Sequence, residues 1–171
     1  MLFIYSSTIV CAQAPTTREY QIKAAFIFNF TQFTEFPAGS FSSPQAPFVI
    51  GVLGKNPFGS YLEQTVAGET VNGHPLVIQY YSNTDDIKGC HILFINLTDA
   101  NKIEDAIDKL EGQNILTVGD APYFLNNGGM IRFYTKNNKM QLQINLEAAK
   151  AANVVISSKL LRLAEIFTPA K

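Results

Sequence analysis

The residues of this chain that could do acid-base or metal chemistry are few and scattered. A nucleophile needs a neighbouring base, and the two histidines of the sequence, His74 and His91, are the candidates for that role. His74 lies in a turn-like segment and His91 begins an apolar run, so both are interpreted as structural. The acidic groups at 85–86 and 104–108 have no histidine or cysteine at ligand spacing and are interpreted as solvated surfaces. The sequence therefore predicts no catalytic residues, no metal site, no cofactor and no enzyme activity.

Glycines surround one predicted strand-to-helix turn, where they could cradle a phosphate, because backbone N–H groups at a helix N-terminus attract anions. Gly51, Gly54 and Gly59 do not have the spacing of a dinucleotide-binding motif or a P-loop. Close approach of helix and sheet is the preferred explanation. A small-ligand site at the carboxyl ends of the strands is the alternative.

A β-hairpin centred on Asn137-Asn138 is the clearest element that the sequence predicts. Asparagine tolerates the positive φ of a type I′ turn, and a slip of one residue would move the apolar side chains to the solvent face. One face of this hairpin is apolar and the other is polar. The predicted pairs are Ile131 with Ile144, Phe133 with Leu142, Thr135 with Met140, Arg132 with Gln143 and Tyr134 with Gln141.

Uninterrupted apolar runs predict strands that are covered on both faces, as in parallel sheets. Strands are predicted at 48–53, 76–81, 91–96 and 115–118, with helices at 58–66 and 100–110. Asn56 and Pro57 are predicted to start the first of these helices. This order of elements predicts a parallel core with helices packed on it.

Helical spacing predicts further helices before and after this core. Ile22, Phe26, Phe30 and Phe33 share one face of a helix predicted at 18–36, which Pro37 ends. After the hairpin, the predictions are a short helix at 146–152, an extended piece at 154–156, and a last helix at 159–167 with Leu160, Leu163 and Phe167 inward. The predicted fold is α/β: a single three-layer domain, a mostly parallel sheet with helices on both faces, and a C-terminal antiparallel hairpin.

The amino terminus predicts export. Residues 1–14 carry no charge and end in Ala12-Gln13-Ala14, a pattern typical of signal-peptide cleavage, although the usual basic residues are missing. Cleavage after Ala14 would leave a single domain at 15–171 in the periplasm, and a buried N-terminal strand is the alternative. Cys90 would then be the one remaining cysteine, and its apolar surroundings predict a small buried side chain.

Charge argues against one class of partner. The 13 basic and 14 acidic residues are intermixed and give a formal net charge of −1. This distribution lacks the basic footprint that binds nucleic acid, so nucleic acid is not predicted as a partner.

Six groups of residues, in order along the chain from about residue 20 to residue 164, resemble the YfiR family of exported proteins. They are Lys23-Ala24-Ala25-Phe26 with Asn29-Phe30 and Phe36-Pro37, Val52-Leu53-Gly54 with Asn56-Pro57-Phe58-Gly59, Ile115-Leu116-Thr117-Val118, Gly128-Gly129-Met130-Ile131, Gln143-Ile144-Asn145-Leu146-Glu147-Ala148-Ala149, and Ser157-Ser158-Lys159-Leu160-Leu161.

The resemblance implies a periplasmic regulator that is not an enzyme. The best-known member of the family binds the periplasmic sensor portion of an inner-membrane diguanylate cyclase and holds it inactive. An outer-membrane-associated lipoprotein with a peptidoglycan-binding domain relieves that repression. A homodimer whose free concentration sets cyclic-di-GMP output and biofilm behaviour is therefore expected. Other relatives occur near sensor kinases, so a kinase is the alternative inner-membrane partner.

Two surfaces are predicted to contact the partner. An arginine beside an amphipathic tyrosine is common at interface hot spots, and an aromatic edge could seat an apolar segment. The alternatives are an ordinary solvated sheet face and burial in the core. The first surface comprises Arg132, Tyr134, Gln141, Gln143, Asn145 and Glu147, and the second comprises Phe28, Phe33 and Phe36 with Pro37. The alternative function is a periplasmic small-ligand-binding module that feeds a sensor kinase or a transport system.

Overall fold

The apolar runs of the sequence become the inner strands of a parallel sheet in the computed structural model, which describes residues 17–169. The predicted signal segment at 1–14 lies outside the described residues. The elements, in chain order, are α1 Thr17–Phe33, β1 Thr34–Glu35, β2 Phe48–Gly54, α2 Tyr61–Val66, β3 Thr70–Val71, β4 His74–Tyr81, β5 Ile92–Asn96, α3 Ala100–Lys109, β6 Leu116–Gly119, β7 Ile131–Lys136, β8 Lys139–Ile144, α4 Leu146–Ala151, β9 Val155–Ile156, α5 Ser158–Leu161 and β10 Ala164–Ile166.

The main sheet has the strand order β10-β8-β7-β6-β5-β2-β4-β3. The neighbouring strands β4, β2, β5, β6 and β7 pair in parallel, in that order across the sheet. The pairs β3 with β4 and β7 with β8 are antiparallel. The short strands β1 and β9 pair separately. The predicted fold class, a mostly parallel sheet with helices and a C-terminal antiparallel hairpin, is confirmed.

Two apolar clusters lie on opposite faces of this sheet, and alternate residues of β2 enter different clusters. Ile50 and Val52 join the cluster that contains Ile27 and Phe30 of α1. Val49 and Leu53 join the cluster beneath α3, with Ile103 and Ala106. Because both faces of the inner strands are covered, they read as continuous apolar runs in the sequence.

The hairpin has the predicted register at every pair, from Ile131 opposite Ile144 to Thr135 opposite Met140. Asn137 and Asn138 have φ angles of 52° and 57°, as a type I′ turn requires. The hairpin prediction is therefore confirmed.

Two helix boundaries differ from the prediction. In each case a side chain or a neighbouring strand forms hydrogen bonds with backbone groups that the predicted helix would have used. The Asn56 side chain accepts a hydrogen bond from Phe58 N at 2.9 Å and donates one to Gly59 O at 2.8 Å. It thus stabilises a turn, and α2 begins later, at Tyr61. Helix α1 ends at Phe33 because the next residues pair with β9, and Ser157 N donates to Phe33 O at 2.9 Å.

The predicted last helix at 159–167 is wrong. Helix α5 ends at Leu161, and β10 then adds to the sheet in parallel with β8. The free edge of β8 offers backbone partners to this segment, as the 2.8 Å hydrogen bond from Phe167 N to Ile144 O shows. Leu163, predicted to face inward, is 65% exposed.

The buried face of α1 also differs from the prediction, because it includes a charge. Ile22 is 40% exposed, whereas the neighbouring Lys23 is 1% exposed. The Lys23 ammonium lies 2.6 Å from Asp120 Oδ2 and 2.7 Å from Glu19 Oε1. It also lies 4.3 Å from the ring centroid of Tyr20, whose hydroxyl donates to Asp120. This network fastens α1 to the residue that follows β6.

Removing the anion should therefore destabilise the fold more than removing the cation. Asp120→Asn leaves a buried ammonium with one remaining carboxylate, and we expect it to lower the free energy of unfolding by about 3 kcal/mol. Lys23→Met removes the buried charge and leaves Asp120 and Glu19 with partial access to water. Urea unfolding followed by circular dichroism measures both, and a greater loss in Lys23→Met would contradict this account.

Candidate protein-binding surface

The polar face of the hairpin lies towards the edge of the sheet, on the side away from α1. Phe133 and Leu142 point into the cluster that contains α1, so Arg132, Tyr134 and Gln143 point to the opposite side. In the described part of the chain, the apolar cluster beneath α3 includes no residue of β7 or β8. This part of the sheet face is therefore formed by polar side chains.

Glu165 of β10 joins the predicted hairpin residues into one polar network. Its carboxylate accepts hydrogen bonds from Tyr134 Oη at 2.9 Å and from Gln143 Nε2 at 3.2 Å. Burial raises the pKa of Tyr134, and the bond to Glu165 raises it further. Sequence reasoning missed Glu165 because the segment that carries it was predicted as a helix.

Arg132 carries the one nitrogen of this face that is buried without a hydrogen-bond partner in the described chain. Its guanidinium carbon lies 5.8 Å from the ring centroid of Tyr134, a cation–π arrangement. Its Nε is buried and has no hydrogen-bond partner within residues 17–169. Buried donors are nearly always satisfied by protein groups or ordered water, so this N–H marks a position where a water molecule or a partner group is expected.

Asn145 and Glu147, predicted with this surface, have different surroundings from each other. The Asn145 side chain is buried and accepts a hydrogen bond from Ala148 N at 3.1 Å, which caps α4. It is therefore committed to the fold. Glu147 is exposed in the first turn of α4.

The aromatic edge is partly used for packing. Phe28, Phe33 and Phe36 are half-buried against the cluster that contains α1. The ring of Phe36 lies 5.5 Å from that of Phe48 and 5.7 Å from that of His91, both edge-on. Burial in the core was the alternative to partner binding for these rings, and the contacts show that it is partly realised. Part of each ring remains at the surface.

The two histidines hold the connector at residues 37–47 against the sheet. The Phe41 ring stacks on His74 at 3.9 Å and on His91 at 4.3 Å, centroid to centroid. His91 Nδ1 accepts a hydrogen bond from Val49 N at 3.1 Å, and its Nε2 lies 3.1 Å from Ser40 O. Burial is the largest effect and lowers the pKa of His91, the hydrogen bond with Ser40 O partly opposes this shift, and the charge of His74 adds to it. Both imidazoles thus have structural contacts, as predicted.

The crevice predicted as an alternative ligand site is bridged by direct contacts. Chain order reverses between β2 and β5, which is where open α/β sheets bind ligands. There the Asn96 side chain donates to Lys55 O at 2.6 Å. A Cβ on Gly54, whose φ is +93°, would lie 2.6 Å from Asn96 O. The glycine is therefore explained by close approach of two strands.

Cys90 and the acidic residues were the other candidates for chemistry in the sequence. Cys90 is buried, and burial raises the pKa of its thiol to about 12, which disfavours the reactive thiolate. Residues 17–169 contain no group of three or more His, Cys, Asp or Glu side chains placed to hold a metal ion. Over the same range, no helix has the length and apolar character needed to cross a bilayer.

Comparisons with known proteins agree with the resemblance that the sequence indicates. A sequence model described as YfiR/HmsC-like matches residues 20–165. Among solved structures, the chain is similar to a conserved domain protein from Vibrio cholerae O1 biovar El Tor strain N16961, with 15% sequence identity and a TM-score of 0.56. That match covers 87% of this chain and 60% of the other, so the chain spans less than two thirds of that protein's length. Such low identity establishes a shared fold alone. The search of curated proteins finds no match.

The contacts of His91 predict a pH dependence of stability. Because its pKa is lowered in the folded state, the unfolded chain takes up the proton first as the pH falls below about 6.5. Stability should therefore be full above that pH and decrease below it. We expect the urea midpoint to fall between pH 7.5 and pH 5.5, and to fall much less in His91→Gln. His74→Gln removes the charge that contributes to lowering the pKa of His91, so its slope should lie between that of the wild type and that of His91→Gln. An unchanged slope in His91→Gln would refute the assignment.

Proposed function

The chain belongs to the YfiR/HmsC-like family, and from this premise we propose that it is a periplasmic regulator that binds the sensor portion of an inner-membrane diguanylate cyclase. Family members are regulators rather than enzymes, and the family links them to cyclic-di-GMP signalling. The proposal adds that this chain acts by occupying a surface of the cyclase and holding it inactive, with a sensor kinase as the alternative partner.

The observation that carries the proposal is the unsatisfied Arg132 within an ordered polar face. Tyr134 and Gln143 are held in place by Glu165, so the face is arranged before any partner binds. Preorganised side chains lose less conformational entropy on association. Arginine and tyrosine at the centre of such a face are typical of interface hot spots. Exposed parts of Phe28, Phe33 and Phe36 form a second candidate surface.

The remaining parts of the proposal come from the sequence, for export and the domain, and from the family resemblance, for the homodimer and the lipoprotein. The mature protein is a single domain at 15–171, exported and cleaved after Ala14, and it acts as a homodimer. An outer-membrane-associated lipoprotein with a peptidoglycan-binding domain would sequester it and so release the cyclase. Free regulator concentration would then set cyclic-di-GMP output and biofilm behaviour.

One observation favours the second candidate function, a small-ligand-binding module feeding a sensor kinase or a transport system. A cleft of about 370 Å³ lies beside the carboxyl ends of β2 and β5, between Leu53, Leu97 and α3. Its lining includes the Lys109–Asp85 ion pair, 3.0 Å long, together with Lys102. A thermal-shift screen of small anionic metabolites tests this function, and a set of ligands without effect would count against it.

Truncating Arg132 should weaken partner binding without unfolding the protein. We expect Arg132→Ala to reduce affinity for the purified periplasmic sensor domain of a diguanylate cyclase from the same genome about tenfold or more, because hot-spot arginines contribute about 2 kcal/mol. Biolayer interferometry measures the affinity, and circular dichroism checks the fold.

Arg18→Ala is the matched control, since Arg18 is exposed on α1, across the sheet from this face. Equal affinity of Arg132→Ala and wild type would exclude this face as the interface. Failure of the wild type to bind any such sensor domain, or a periplasmic kinase sensor, would contradict the proposed function itself.

A further inference from the structure

The tip of the hairpin extends beyond the strands on either side of it. Strand β6 pairs with β7 only at Ile131 and Arg132. On the other side, β10 pairs with β8 only from Leu142 to Ile144. Residues 134–141, which we call the hairpin arm, therefore form a two-stranded ribbon with no neighbouring strand in the sheet of the described chain.

Two lysines face each other across the end of this arm. Lys136 pairs with Lys139 in the ladder, and both side chains are exposed. Directly opposed like charges destabilise a strand pair. No carboxylate among residues 17–169 lies within ion-pair distance of either lysine. The turn itself needs only the two asparagines at 137 and 138, so the fold does not account for the lysine pair.

The lysine pair lies on the same face of the hairpin as Arg132. Side chains alternate along a strand, so Arg132, Tyr134 and Lys136 share one side of β7. Lys136 is four residue steps along the strand from Arg132, a distance of about 13 Å. The nearby carboxylate, Glu165, already accepts from Tyr134 and Gln143. The face thus offers two separate cationic positions with hydrogen-bonding side chains between them.

We infer that the polar face of the hairpin, from Arg132 at its base to the hairpin arm, is the docking site for an acidic protein segment whose carboxylates meet Lys136 and Lys139 at the tip and Arg132 at the base. This inference rests on the proposed function and names the chemistry of its partner. Binding would relieve the repulsion between the lysines and supply a counter-charge for the half-buried Arg132. The amides of Gln141 and Gln143 would hydrogen-bond the polypeptide between these points.

A protein segment fits this face better than an anionic membrane. Attraction to lipid headgroups is worth about 1 kcal/mol for each basic residue near the surface, so two lysines on a chain of net charge −1 provide little. Arg132 is half-buried on the sheet face, about 13 Å from the lysines at the tip, so a flat headgroup layer in contact with the tip would not also contact it, whereas a flexible segment lying along the face would.

The test uses the full chain and two probes. The first is a synthetic twelve-residue peptide with glutamate pairs about 13 Å apart when extended, the spacing of Arg132 and Lys136. The second is a vesicle preparation of 30% phosphatidylglycerol in phosphatidylcholine. Amide signals of 132–143 should shift on addition of the peptide, and the protein should not sediment with the vesicles.

Charge removal at the tip identifies the groups responsible. Lys136→Gln/Lys139→Gln should abolish the peptide-induced shifts and leave the unfolding midpoint unchanged or raised. Lys150→Gln/Lys159→Gln removes the same charge from exposed positions on α4 and α5 and should keep the shifts. With the cyclase sensor domain, the tip variant should bind at least tenfold more weakly and lose most of the salt dependence of binding.

The outcomes separate the two proposals. Peptide shifts absent from the wild type, or equal in the tip variant, would overturn the inference. So would lysine-dependent binding to the vesicles, which would assign the tip to a membrane. Sensor-domain binding that the tip variant retains in full would also overturn it, while leaving the proposed function intact. Peptide binding without any sensor-domain binding would support the docking site and contradict the proposed function.

Discussion

The pairing register of β7 with β8 is the constraint on which both the core and the interaction surface depend. Side chains alternate along each strand, so the register that buries Phe133 and Leu142 also places Arg132 and Tyr134 on the outer face. The ring of Phe133 stacks on Phe30 of α1 at 5.9 Å and contacts Phe26 at 6.0 Å. These apolar contacts fix the hairpin, and the polar face is fixed with it.

The parts of the fold that were predictable are those that local periodicity determines. Alternation at residues 131–144 specified the hairpin, and uninterrupted apolar runs specified the parallel strands. Strand β10 was not predictable in this way, because Leu160, Leu163 and Phe167 also match the spacing of a helix. The free edge of β8 decided the outcome, and a local pattern contains no information about that edge. Glu165, the acceptor of both hydrogen bonds in the polar network, was missed with it.

Charge pairing between distant residues explains the error in α1. The apolar spacing selected the face containing Ile22, but Lys23 is the buried residue. Its ammonium donates a hydrogen bond to the carboxylate of Asp120, 97 positions later, at 2.6 Å between Nζ and Oδ2. The opposed lysines at 136 and 139 show the complementary case. Their opposition follows from the hairpin register. Their lack of neighbouring carboxylates depends instead on β6 and β10, which both end short of the tip.

The division of the polar face into an exposed tip and a half-buried base has a kinetic consequence for the proposed function. Exposed charges act over roughly the Debye length, about 10 Å at 0.1 M salt, so the lysines would accelerate encounter with an acidic partner. A directed bond to the half-buried Arg132 beside Tyr134 would instead slow dissociation, because most differences among related complexes lie in the off-rate. A regulator that passes from one partner to another must associate fast with both. It must also dissociate from each at an appreciable rate. Two solvated lysines and one half-buried arginine contact fit that requirement better than a large apolar interface, from which dissociation would be slow.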